Sequence, residues 1–126
     1  MKSLKRELDK KLRYQAIVGE PEEEKEPIKM KEAIERYLKY KKQNYSEATF
    51  RTDEQRLRWI YQYIGNVPLK SLTVDHIVDY VNYRLKKGVK RSTVRIDLVV
   101  WKALINFYKK RGEVERNPFE LYPIRQ

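Results

Sequence analysis

Cysteine is absent from these 126 residues, which excludes disulfides, thiolate nucleophiles and thiolate metal sites. Histidine occurs once, at His76, so no His cluster can hold a metal ion. With no Gly-rich phosphate loop there is no support for nucleotide hydrolysis, and no cofactor or small-molecule substrate is expected. No apolar run approaches the roughly 18–20 residues that span a bilayer, and no signal peptide is visible. Glycine and proline are scarce, 4 and 5 in all, and most stand at segment ends. The runs between them have helical spacing, and few windows alternate as a half-buried strand does. The class expected is all-α, one domain plus extensions, large enough for a single hydrophobic core. The lack of cysteine suits an intracellular setting.

Positive charge is abundant: 29 Lys and Arg against 18 Asp and Glu give a net charge of +11. That balance favours a polyanionic partner, nucleic acid before an anionic membrane. Residues 2–18 read as a short amphipathic helix with Leu4, Leu8, Leu12 and Ala16 at every fourth position. It is too short to be stable alone and should dock on something. Gly19 to Pro27 carries five Glu, one Lys and two Pro, an acidic linker that sets the domain boundary near Ile28. The organisation expected is therefore helix 1–18, linker 19–28, helical core 29–118 and exit linker 119–126.

Four helices are expected in the core, a compact bundle. The first runs from about Lys29 to Gln43. The second starts at an N-cap, Ser46, and stops at Gly65; the third starts at Thr73 and stops at Gly88. Ser92 is expected to cap the fourth, which ends at Arg111 before Gly112. On a helical wheel Val94, Leu98, Trp101, Leu104, Ile105 and Tyr108 form one apolar band, widened by Ile96, Val100, Ala103 and Phe107. Asp97 falls inside that band and requires a basic partner if buried.

From Arg84 to Arg111 ten Lys and Arg face a single acid, Asp97. Arg95, Lys102, Asn106 and Lys109 lie within about 60° of one another on the wheel, with Arg91 extending the line. Lys86, Lys87, Lys90 and Arg91 are placed to reach phosphates. Ser92 and Thr93, with the first backbone N–H groups of the helix, suit another phosphate. Arg95 is the candidate for reaching a base edge, and Lys102 continues the stripe. Before the second helix, Lys42 and Ser46 suit phosphates, and Arg51 lines a polar flank with Arg58, Gln55 and Gln62. Arg56, Trp59 and Tyr63 lie opposite the main stripe of the second helix, covered by a neighbouring helix or open to a partner.

The order of signals over 29–118 resembles the core-binding (N-terminal SAM-like) domain of tyrosine recombinases, the phage integrase and Xer-type family. The residues that carry it are SEAT (Ser46 to Thr49), IGNVPLKSLTVDHI (Ile64 to Ile77), RSTVRIDLVVWKALINFYKKRG (Arg91 to Gly112) and Asn117-Pro118. The resemblance implies a helical bundle forming half of a clamp around double-stranded DNA. It also places Thr49 and Thr93 near the duplex; homo-oligomers on DNA, and a cytoplasmic, nucleoid-associated setting in a prokaryotic or viral context, are expected. Members of the family cut DNA with a tyrosine assisted by two arginines, a lysine and a His-x-x-Arg motif in a C-terminal domain. His76-Ile77-Val78-Asp79 is not that motif, and the chain is expected to bind without cutting. A helical module that binds an acidic protein or its own copies is the alternative. A membrane-surface role fits poorly, because the cations do not lie opposite a continuous exposed apolar face.

Overall fold

A computed structural model describes residues 26–124; the amphipathic segment 2–18 and linker residues 19–25 lie outside them. Among the described residues the chain forms four α-helices, and its only extended pairing is a bridge between Lys29 and Pro68. Helix α1 (Met30–Asn44) has no side-chain cap. Its first donors go instead to the loop at Asn66–Val67: the Met30 N–H donates to the Val67 carbonyl and the Lys31 N–H to Asn66 Oδ1, both at 2.9 Å.

Helix α2 (Glu47–Ile64) starts as its sequence dictates, with Ser46 Oγ accepting the Thr49 N–H at 3.2 Å. It stops at Gly65, whose φ of 84° is open to glycine at no steric cost. Helix α3 (Val74–Lys86) follows a 3-10 turn at Leu69–Ser71. His76 spends its ring on the start of this helix: Nδ1 accepts the Thr73 N–H at 3.0 Å. That is a local structural role at the start of the helix.

Helix α4 (Arg91–Lys110) packs against the other three and carries the centre of the core. Trp101, Leu104 and Ile105 are fully buried, and the Trp101 ring meets Tyr80 and Phe119 edge-on at 5.7 and 5.5 Å. Helix α2 runs antiparallel across α4: Arg56 reaches Asp97, while Trp59 shares a groove with Thr93 one turn nearer the start of α4.

Three expectations are corrected. Ser92 does not cap α4; the helix begins two residues earlier than a Ser92 cap implies, with Lys90 at the cap position and no capping side chain. The α3–α4 turn causes this shift. The Val89 N–H folds back to the Arg84 carbonyl, and the Lys90 carbonyl then takes the Thr93 and Val94 donors. The segment expected to leave the domain from residue 119 instead packs against it. Phe119 is buried in the core, held by the Asn117–Pro118 turn, and Tyr122 and Ile124 lean on the same cluster. Finally, Ile96 and Ala103 do not widen the buried band of α4: Ile96 is 44% exposed, Val99 53%, and Ala103 is also exposed.

Candidate nucleic-acid interface

Asp97 is the only carboxylate of α4 and is completely buried. Tyr80 Oη donates to it at 2.7 Å, Arg84 Nε at 3.1 Å and Arg56 Nη1 at 3.3 Å. One acid thereby ties α2, α3 and α4 together, and its charge is spent inside the protein. Burial, then the hydrogen bond to Asp97 and its negative charge, push the Tyr80 phenol well above its ordinary range. What remains on the outside of α4 is cationic or neutral: Arg91, Ser92, Arg95, Ile96, Val99, Lys102, Ala103 and Lys110 are exposed.

The twelve residues singled out in the sequence fall into two groups. Lys86, Lys87, Lys90, Arg91, Ser92, Thr93 and Arg95 come together at the α3–α4 turn and the first turns of α4, with Lys102 further along the same helix. All but the half-buried Thr93 are exposed. Among the described residues none of these cations pairs with a carboxylate. The uncapped start of α4 adds backbone N–H groups and the positive end of the helix dipole to the same place.

Lys42, Ser46, Thr49 and Arg51 gather at the other end of α2, where Tyr40 packs on Phe107. Thirteen residues of helix separate Ser46 from Trp59, about 20 Å at 1.5 Å per residue. Here the groups are largely engaged. Arg51 pairs with Glu47 at 3.0 Å, Lys42 Nζ stands over the Phe50 ring, and Ser46 Oγ serves as the cap. Lys41 is drawn to Asp53 at 3.2 Å and lies 3.7 Å from the Tyr45 ring centroid.

The far end of the expected α4 stripe is covered by the protein itself. Lys109 bonds to Glu120 and holds that carboxyl below the usual range. Asn106 Oδ1 accepts from Asn117 Nδ2 at 2.8 Å. Returning along α4, the tail also places Leu121 to Ile124 beside Arg91 and Arg95, which rim a shallow groove there. The open stripe is therefore confined to the start and middle of α4.

Sequence reasoning missed three buried polar residues: Asp53, Arg84 and Asn117. Asp53 and Arg84 share a helical arc with the core positions Leu57 and Tyr80, a signal that was available. Asn117 donates to the Lys102 carbonyl and accepts the Phe119 N–H, which fixes the tail. Trp59 and Tyr63 prove partly covered by α3, as Arg84 lies over the Trp59 ring and Tyr83 stacks on Tyr63, while Arg56 turns to Asp97 of α4.

Residues 29–85 match the family model described as the phage integrase N-terminal SAM-like domain. No curated relative matches the chain. Among solved structures, the N-terminal domain of a phage integrase/site-specific recombinase from Haloarcula marismortui is similar, with 16% identity and a TM-score of 0.70. The likeness covers 80% of this chain and all of that one. Lambda integrase, solved as a dimer bound to a COC′ core site, is 14% identical over 79% of this chain, with a TM-score of 0.71. Lambda integrase as a tetramer bound to a Holliday junction gives 14% and 0.70. The match spans only 28% and 30% of those two lambda chains. At such identities the structures establish the fold, and the family model supplies the sequence link. The segment 29–85 is a phage integrase N-terminal SAM-like domain, and the all-α bundle that it begins has the integrase N-terminal fold.

Proposed function

We propose that this chain holds double-stranded DNA for a tyrosine-recombinase-type integrase, with the α3–α4 turn and the open face of α4 against the duplex. One observation carries the reading: the single carboxylate of α4 is buried among its own partners, so the exposed face of a helix fed by a basic turn bears no negative charge. A face turned merely to solvent has no reason to exclude acids. A face that meets phosphates does.

In this reading Lys86, Lys87, Lys90 and Arg91 hold phosphates, and the uncapped N–H groups at Arg91 and Ser92 take another. Thr93, at the rim, and Lys102, further along α4, extend the contact. Arg95 is the residue for a base edge, with Ile96, Val99 and Ala103 suited to thymine methyl groups in a major groove. Lys42, Ser46, Thr49 and Arg51 form a weaker second contact about 20 Å away, the span of roughly six base steps at 3.4 Å. The task assigned is binding; strand cutting belongs to a catalytic domain of the kind the family carries. Lambda integrase on DNA is a dimer or a tetramer in the solved complexes. Assembly on DNA, in the compartment where DNA is found, is proposed for this chain as well.

The test is duplex affinity measured by fluorescence anisotropy across a range of salt. The wild type should give a steep linear dependence of log affinity on log salt. Lys90→Ala and Arg91→Ala should each lower the slope by about one, weakening all sequences alike, whereas Arg95→Ala should alter the preference among sites. An unchanged slope in the first two variants refutes the assignment.

A further inference from the structure

Trp59, Tyr63 and Tyr83 form an open aromatic surface where the end of α2 meets the end of α3. Trp59 and Tyr63 are each 40% exposed, although both are large enough to reward burial. The Tyr63 and Tyr83 rings stack with centroids 4.4 Å apart and planes inclined by 26°. The Arg84 guanidinium lies 4.7 Å from the Trp59 ring centroid. It is itself buried and fixed by Asp97, so it braces one face of the indole and leaves the rest outward. Lys87 Nζ stands 5.6 Å from the Tyr83 ring centroid. The groove between Trp59 and Tyr83 is completed by Val89 and Thr93, and no residue lining it is acidic.

An occupant must therefore offer flat faces and negative charge together. A duplex offers the charge but keeps its base faces stacked inside. A second copy of this chain offers rings, yet brings a net charge of +11 against the same sign. Unpaired bases on a phosphate backbone satisfy both demands. We infer that the Trp59–Tyr63–Tyr83 surface is a stacking site for unpaired bases of a single strand, whose phosphates lie toward Lys87. The inference goes beyond the duplex reading; it shares Lys87 and Thr93 with that reading and is tested at aromatic residues outside it, with duplex binding as the control that separates the two.

The test uses tryptophan emission of the full chain titrated with an oligothymidylate of about 12 nucleotides, within the range of single-strand site sizes. Trp101 is fully buried, so a contact quench reports Trp59. The oligomer should quench wild-type emission at low salt. Trp59→Phe should retain affinity within about threefold while losing the quench. Trp59→Ala and Tyr63→Ala should each bind the oligomer roughly tenfold more weakly. Duplex affinity should change by less than about twofold in all three, and circular dichroism melts establish that each variant is folded. Wild-type emission that ignores the oligomer while duplex still binds overturns this inference alone. Full single-strand affinity in a folded Trp59→Ala chain overturns it as well. So does a chain that sedimentation shows to dimerise through this surface and to exclude the oligomer.

Discussion

Two helix-to-helix turns of this protein are both basic, yet they hold their cations in opposite ways. At the α1–α2 turn, Lys41 is paired with Asp53, Arg51 with Glu47, and Lys42 stands over Phe50. Ser46 fills the cap of the helix that follows. At the α3–α4 turn, Lys86, Lys87 and Lys90 have no carboxylate partner among the described residues, Arg91 has none either, and the next helix has no side-chain cap. Composition alone does not separate the two. The difference lies in where the nearest acid sits. Asp53 and Glu47 face their neighbouring cations, whereas Asp97 is turned inward to Arg56, Arg84 and Tyr80. Charge is available to a ligand where the fold has given it no internal partner.

The largest expected effect contrasts the two buried acids. Asp97→Ala strands two inward guanidinium groups and should cost about 3–5 kcal/mol in urea unfolding. Asp53→Ala leaves a single, mostly buried ammonium, Lys41, with the Tyr45 ring still against it, and should cost less, about 1–3 kcal/mol. Equal losses would mean that Asp97 is not the hub described. Next in size is an alkaline effect that both regions share. Burial, with the nearby charge of Asp53 or Asp97, raises the phenols of Tyr37 and Tyr80, and burial pushes Tyr108 up to about 12. Their stabilisation is complete below the unfolded value of about 10 and is lost as pH rises through the folded values. The urea midpoint should therefore fall steadily above about pH 10. A flat midpoint up to about pH 12 would contradict the burial of these phenols.

For binding, Lys90→Ala and Arg91→Ala should each weaken duplex affinity roughly five- to tenfold near 0.1 M salt. Arg51→Ala, whose charge already has a partner in Glu47, should change it by about twofold or less. The reverse order, measured by anisotropy, would move the main contact to the α1–α2 turn. Smallest is the contrast between two serines. Ser46→Ala removes a true cap and should cost about 1 kcal/mol, while Ser92→Ala, inside the first turn, should stay within about 0.5 kcal/mol. Thermal melts of the two variants decide it.

The helices were legible in the sequence because their stops are chemical. Gly65, Gly88 and Gly112 all adopt positive φ, near 80°, and each follows the last turn of a helix. Asp97 was legible too, as an acid inside an apolar arc that demanded a cation. Its partner Arg84 was missed although it stands one turn after the core position Tyr80, because a basic residue in a basic run reads as surface. The start of α4 was misplaced by two residues, since Ser92 advertises a cap that the fold of the Lys87–Val89 turn makes unnecessary. The tail was misread for a related reason. Asn117-Pro118 signals a turn, but its direction depends on Asn117 finding Lys102 and Asn106 across space. Long-range contacts of that kind leave no local pattern.

The most direct measurement is a nitrogen-15 NMR titration of the full chain with a short duplex. The account predicts that the amide shifts concentrate on residues 86–95 and on the exposed positions of α4 through Lys102, with smaller changes near Ser46. Shifts confined to α1 and the Lys109–Glu120 contact, or no shifts at concentrations where anisotropy reports binding, would contradict it.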